Sequence, residues 1–248
     1  MGMPDQKALV TGGSRGIGRA IAMGLSAKGY DVTIMGRSPD TLAKAVKEGV
    51  ARRSHAVDVT DEAALSAAVA EGGPYHIVIN NAGAAESAPF AATRLDLIRR
   101  MMAVNLESAF TASRAALPGM MTLSSGRIIN IASIAGLKGY AYVSAYCAAK
   151  HALVGLTRAL AAELLKTKIT VNAICPGYTD TDLITGAANR IAEKTGLAPE
   201  KAIDHFANTN PSGRLITPEE VANAVLWLCS EGASAVTGQA ITVAGGDL

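Results

Sequence analysis

KALVTGGSRGIGRAIA, residues 7–22, passes from a short apolar run through a cluster of glycines into an Ala/Ile pattern of helical spacing. Gly12, Gly16 and Gly18 close a tight turn and let the backbone approach a phosphate group. The helix that follows would aim its unpaired N–H groups and positive dipole end at that anion. A glycine-rich turn alone is a weak signal. Its place here, after a strand, opening a helix and starting a βαβ pattern, is what the mechanism requires. Gly13 is equally explained by local turn chemistry, whereas Ser14 and Arg15 lie inside the turn and join the candidate phosphate-binding set.

The same rhythm continues along the chain. β-branched runs are expected as strands at Lys7–Thr11, Asp31–Met35, Ser54–Val57, Ile77–Asn80, Arg127–Ala132, Thr170–Cys175 and Ala240–Val243. Ala/Leu-rich helical patterns start near Gly16, Pro39, Asp61, Thr93 or Leu95, Ser144 and Pro218. Strands alternating with helices argue for a parallel sheet covered on both faces, an α/β doubly wound Rossmann architecture. Ser38-Pro39 and Thr217-Pro218-Glu219-Glu220 carry helix-start chemistry, the second as a capping box with Pro at the first helical position. No repeat, charged block or Pro/Ser-rich linker marks a boundary, so residues 1–248 read as one domain. The stretch 178–215 breaks the rhythm with two short helical patterns, Asn189–Lys194 and Pro199–Ala207. An insertion beyond a strand's C-terminal end sits where open α/β sheets bind ligands, and it is read as a helical substrate lid. A pair of plain packing helices is the alternative.

Whole-chain properties exclude several classes. The 248 residues carry a net charge of +2, too small to call for nucleic acid or a membrane surface. Half the residues are apolar and the mean hydropathy is +0.24, enough for a sizeable core and for surface buried between subunits. Cys147, Cys175 and Cys229 are far apart, with no CxxC and no metal-ligand spacing to a histidine, so no metal is expected. Three unpaired thiols, no targeting segment and no apolar run of membrane-spanning length point to a soluble, cytoplasmic protein.

The second strand speaks to the choice of nucleotide. NAD-selective sites place an acidic residue about 20 positions beyond the glycine turn, where it takes the ribose hydroxyls. Here VTIMGRSPD puts Gly36, Arg37 and Ser38 at that place. An arginine pairs with a 2′-phosphate that a carboxylate would repel, and Arg15 could supply a second cation. NADP(H) is therefore favoured over NAD(H). Arg37 is also compatible with a solvated surface role, and Asp40 weakens the charge argument slightly.

AYCAAKHAL, residues 145–153, sets Tyr146 one helical turn ahead of Lys150, so a phenol and an ammonium share a face. Together TGGSRGIG at 11–18, NNAG at 80–83, the serine ending NIAS at 133 and YCAAK at 146–150 resemble the short-chain dehydrogenase/reductase family. The likeness spans essentially the whole chain, including VN at 171–172, PG at 176–177 and Thr237-Gly238-Gln239. It implies a seven-stranded doubly wound sheet, a nicotinamide cofactor and a homotetramer. Carried over by motif, the resemblance assigns Gly12, Gly16 and Gly18 to the pyrophosphate and puts Ile17 beside them. Asp58 and Val59 fall beside the adenine, and Asn81, Ala82 and Gly83 by its ribose. Pro176, Gly177 and Thr181 fall at the nicotinamide end, with Tyr178 and Thr179 close by. The catalytic set is Asn105, Ser133, Tyr146 and Lys150. Cys147 departs from the small hydroxyl residue usual in the family, and it points about 100° away from Tyr146 on the helix.

Reduction of a ketone needs a proton at oxygen, and an ordinary phenol, with its pKa near 10, is a poor source at neutral pH. A neighbouring ammonium is expected to lower that pKa; a drop of roughly 3 units would correspond to about 4 kcal/mol. Ser133 would hydrogen-bond the carbonyl oxygen, and Asn105 would help place a water linking Lys150 to solvent. By the resemblance Lys150 also holds the nicotinamide ribose. The motifs and the insertion are similar to 3-oxoacyl-thioester reductases acting on acyl carrier protein or CoA substrates. Arg190, Lys194 or Lys201 could meet a pantetheine phosphate at the entrance, or form ordinary solvated helix faces. The competing readings are a dehydrogenase of a small alcohol, sugar or steroid, and a non-catalytic dinucleotide-sensing binding protein.

Overall fold

β1 (Lys7–Thr11) buries Leu9 among one set of apolar side chains and Ala8 and Val10 among another, so both of its faces are covered. That double burial is why the central strands read as near-continuous apolar runs. In the computed structural model, which describes residues 6–247, β1 opens a regular alternation. It continues through α1 (Gly16–Ala27), β2 (Asp31–Gly36), α2 (Pro39–Lys47), β3 (Arg53–Ala56), α3 (Glu62–Gly72) and β4 (Ile77–Asn80). A long helical segment follows, α4 (Leu95–Met102) and α5 (Ser108–Met120), then β5 (Gly126–Ile131), α6 (Ser144–Glu163) and β6 (Ile169–Pro176). The chain closes with α7 (Asp182–Thr195), α8 (Pro199–Thr209), α9 (Pro218–Leu228) and β7 (Ala240–Val243).

All seven strands form one parallel sheet in the order β3-β2-β1-β4-β5-β6-β7. It is a single-domain Rossmann fold with helices on both faces. On one face Ile21 and Leu25 of α1 meet Val221, Val225 and Leu228 of α9 over Val10, Ile34 and Ile79. On the other, Leu65 and Val69 of α3 and Ala112, Ala116 and Met120 of α5 cover Leu9, Val78 and Ile128. The chain builds outward from β1 to β3, then crosses back to β4, which pairs with β1 with Ala8 opposite Ile77. This reversal between β1 and β4 opens a crevice at the strands' C-terminal ends.

Strand boundaries agree with the sequence reading to within one residue at each end. Ser38 caps α2 by accepting from the Thr41 N–H, and Asp61 caps α3 rather than starting it. Thr217 and Glu220 form the expected capping box at α9. The insertion differs: its first helix spans Asp182–Thr195, seven residues longer at the front than the Asn189–Lys194 expected. Ile184, Thr185 and Gly186 have weak intrinsic helix preference, so the pattern is hard to read there. What forms those turns is the burial of Ile184 and Ala188, four residues apart on one face. Among the described residues no helix is long and apolar enough to cross a membrane.

Candidate active site

The glycine turn is locked to the end of β4. Thr11 Oγ1 accepts from the Asn81 and Ala82 N–H groups, both at 3.0 Å. Asn81 Nδ2 returns to the Thr11 and Gly12 carbonyls at 2.9 and 3.1 Å. Gly12 and Gly16 hold φ of +65° and +51°, a region L side chains avoid. A Cβ on Gly18 would lie 2.3 Å from the Gly12 oxygen, so α1 rests directly on the turn. Arg15, at the N-cap of α1, makes no side-chain capping bond. The result is a bare backbone cradle at a helix N-terminus, a shape and charge that fit a dinucleotide pyrophosphate. Ser14 and Ile17 are half-buried beside it.

Arg15 is exposed and stands 3.9 Å from Asp182 of α7. Thr181, the residue before α7, has its methyl 3.3 Å from where a Gly16 Cβ would be, so it faces the glycine turn. Arg37 and Ser38 follow β2 on the exposed rim. Asp58 stands opposite, its carboxyl held below the usual range by the Thr60 N–H and hydroxyl and, more weakly, by the Arg37 cation. Val59 is buried next to it. These groups line the crevice from the turn to the β2–β3 edge.

The four residues of the expected catalytic set come from three elements. Asn105 is buried in a π-helical turn, Ala103–Glu107, that joins α4 to α5. Such single-turn bulges re-aim a side chain within an otherwise regular helix. Its amide donates to the Ala84 and Met101 carbonyls at 2.9 and 3.0 Å, and its oxygen accepts from the Ala84 N–H at 3.3 Å. Gly83 lies between Asn105 and Lys150: a Cβ there would sit 2.7 Å from Asn105 Oδ1 and 3.6 Å from Lys150 Nζ. Ser133 lies two residues beyond β5 and accepts from the Ala135 N–H at 3.1 Å. Tyr146 and Lys150 project from the first turns of α6, the Lys150 ammonium 5.7 Å from the Tyr146 ring centroid.

The electrostatics differ from the simple expectation of a lowered phenol. Burial pushes Tyr146 up to about 12, opposed by the Ser133 side chain hydrogen-bonded to it. Burial also draws Lys150 down to about 8, and its ammonium donates to the Ile131 carbonyl at 2.8 Å. Desolvation by burial is thus the largest influence on both groups. Burial shifts each group toward its neutral form.

Pro176 ends β6 and Gly177 and Thr179 follow it toward α7, with Asn210 accepting from the Tyr178 N–H at 3.1 Å. All three thiols are free and buried, and burial pushes Cys175 up to about 11. His151 Nδ1 is 2.9 Å from the Cys147 carbonyl on its own helix. Arg190 and Lys201, considered from sequence as cations that could meet a pantetheine phosphate, are exposed, and the Lys194 side chain lies outside the described set. Sequence reading overlooked Tyr140, Phe206 and Asp247, which lie around Tyr178; Tyr140 sits within the loop between Ser133 and Tyr146, the one signal that could have marked it.

The profile of the family described as Enoyl-(Acyl carrier protein) reductase matches residues 12–247. This chain belongs to the short-chain dehydrogenase/reductase family. It is 38% identical over 243 residues to an acetoacetyl-CoA reductase of Rhizobium meliloti, covering 96% of this chain and 97% of that one. A D-beta-hydroxybutyrate dehydrogenase of Cupriavidus necator is likewise 38% identical over 251 residues, with 96% of each chain covered. A solved actinorhodin polyketide ketoreductase with NADPH superposes with a TM-score of 0.91 at 36% identity, over 99% of this chain and 98% of that one. As a short-chain dehydrogenase/reductase, the protein is an NAD(P)-dependent oxidoreductase acting on carbonyl and alcohol groups.

Proposed function

We propose that this short-chain dehydrogenase/reductase uses NADPH to reduce the keto group of a 3-oxoacyl thioester, on acyl carrier protein or CoA, to the 3-hydroxyacyl form. The observation that carries the reading is the meeting of Ser133, Tyr146 and Lys150 beside a glycine cradle whose outer rim bears Arg37 and no acid at the end of β2. The acetoacetyl-CoA and polyketide relatives support the substrate class, and the NADPH-bound relative supports the cofactor.

Gly12, Ser14, Arg15, Gly16, Ile17 and Gly18 would hold the pyrophosphate, and Arg37 and Ser38 the 2′-phosphate. Asp58, Val59, Asn81, Ala82 and Gly83 would line the adenosine end. Pro176, Gly177, Thr179 and Thr181 would line the other end, with Lys150 on the ribose. When bound, the dinucleotide supplies the hydride that the carbonyl carbon receives. Tyr146 gives its hydroxyl proton to the carbonyl oxygen, which Ser133 hydrogen-bonds as negative charge develops there. Lys150 stabilises the phenolate left behind, and Asn105, across Gly83 from the ammonium, serves the proton's return. α7 and α8 form the lid over this site, within the single domain of 1–248. Self-association to a tetramer is part of the same reading. A concavity of about 490 Å³ lined by Leu106, the exposed Phe110 and Leu156 together with Glu62, Glu107 and Arg114 is where a second copy would pack.

The test mixes purified protein with NADPH and acetoacetyl-CoA and follows the reduced-nicotinamide absorbance. Turnover with a clear preference over NADH, reversed toward NADH by Arg37→Asp, is the expected result. Turnover only of NAD with 3-hydroxybutyrate or other small alcohols would favour the dehydrogenase reading, to which the Cupriavidus necator relative points. Binding of NADPH without turnover of any carbonyl would leave only the sensor.

A further inference from the structure

The mechanism above makes no use of one buried charge. Asp247, in the segment after β7, is 8% exposed, and both of its carboxylate oxygens are engaged. One accepts the Tyr140 hydroxyl at 2.8 Å; the other accepts the Lys138 ammonium. Both donors belong to the loop that runs from Ser133 to Tyr146. A buried carboxylate is tolerated only when paired and hydrogen-bonded, so this contact fixes the loop to the segment that follows β7.

The fixed loop carries an aromatic row. The Tyr140 ring meets Tyr178 edge-on, with centroids 6.3 Å apart and planes at 79°. Tyr178 packs against Phe206 of α8 at 5.0 Å. Tyr178, the middle ring of the row, follows β6, whose Ile174 pairs with Ile131 two residues before Ser133, and its phenol acts electrostatically on Tyr146, so the centre of the row lies beside the proton donor. Little slack exists behind it. A Cβ on Gly245 would lie 2.4 Å from Ser212 Oγ, and one on Gly177 would lie 3.1 Å from Ala244.

We propose that Asp247 is a positioning residue for the carbonyl substrate. By holding Tyr140, it sets the Tyr140–Tyr178–Phe206 row as a rigid aromatic wall against which the apolar part of the substrate packs while its carbonyl faces Tyr146. This rests on the reading of Tyr146 as proton donor. It adds a determinant of substrate affinity that lies outside the dinucleotide crevice.

The experiment compares Tyr140→Phe, Asp247→Ala and Asp247→Asn with the unmodified protein in two ways. Amide hydrogen exchange, which needs no substrate, should rise about tenfold in residues 134–143 and in α8 for Tyr140→Phe and Asp247→Ala, and stay unchanged in α1. Steady-state kinetics should show KM for acetoacetyl-CoA raised about tenfold, as expected for a lost charge-assisted hydrogen bond, with NADPH affinity within about twofold. Asp247→Asn, which still accepts the Tyr140 hydroxyl, should restore KM to within about threefold. The Tyr140→Phe/Asp247→Ala pair should be no worse than Asp247→Ala alone, because the bond that Tyr140→Phe deletes is already lost in Asp247→Ala. Unchanged exchange, an unchanged KM, or equal weakening of NADPH and substrate would overturn the proposal. Tyr140→Phe preserves volume, so it decides the matter if Asp247→Ala does not fold. No turnover of acetoacetyl-CoA by the unmodified protein would instead count against the proposed function, and the exchange result would still decide the role of Asp247.

Discussion

Tyr146 and Lys150 stand one helical turn apart, yet burial moves them in opposite directions, the phenol up to about 12 and the ammonium down to about 8. Each shift favours the neutral form, because a charge taken from water costs more than its distant partner repays. A consequence follows for stability. Between about pH 8 and 10.5, Lys150 is protonated in the unfolded chain and neutral in the folded one, so its contribution to stability rises with pH across that window. In Lys150→Met the group is gone. The difference in Tm, variant minus unmodified protein without cofactor, should therefore fall as pH is raised from about 8 to 10.5. A flat difference measured by calorimetry would contradict the buried-ammonium assignment. Removing the other partner has a different signature. Tyr146→Phe deletes only the hydroxyl, so turnover should drop by at least about 1000-fold while NADPH binding, followed by fluorescence, changes by less than about threefold. The spacing of these two residues was plain from sequence. Which of burial and mutual attraction dominates was not, because desolvation depends on β6, the loop after β5 and Gly83 closing around them.

The strand–turn–helix unit of β1 and α1 is where local chemistry and function coincide most closely. Three glycines at 12, 16 and 18 announce a tight turn, and the structure gives each a separate reason: positive φ at the first two, contact of helix on turn at the third. Gly18→Ala forces a methyl to 2.3 Å from the Gly12 oxygen. We expect NADPH affinity to fall by at least about tenfold with stability lowered by about 1–3 kcal/mol, read by ligand titration and thermal melts. At α9 the capping box of Thr217 and Glu220 was legible as sequence, and the structure forms both of its hydrogen bonds. Thr217→Ala should cost about 1 kcal/mol and lower Tm by about 2–4 °C, with KM values unchanged. Less legible were the π turn that aims Asn105 and the first turns of α7. A π turn has no composition of its own, and the start of α7 is held by the burial of Ile184 and Ala188 rather than by helix preference.

Across the molecule, the sheet order places the β1 turn, the end of β4 and the end of β5 side by side, although they are dozens of residues apart in the chain. That adjacency is maintained by the two apolar layers. Leu25 is fully buried between α1 and α9, with Val221, Val225 and Leu228 in the same layer. Leu25→Ala should cost about 2–5 kcal/mol, seen as a lower denaturation midpoint at unchanged KM for the carbonyl substrate. A change confined to KM would mean that α1 is seated by the crevice and not by the core.

The amino-acid order carried the α/β rhythm, all seven strands, the glycine cradle and the Tyr146–Lys150 spacing, because each is written in contacts within a few residues or in a two- or four-residue period. Folding in three dimensions settled what no short window contains. It set the balance of burial and charge at Tyr146 and Lys150, brought Thr181 to the glycine turn, and joined Asp247 to Tyr140 across 107 positions. Those facts depend on which distant segments exclude water from a given atom, and that is decided only when the layers close on the sheet.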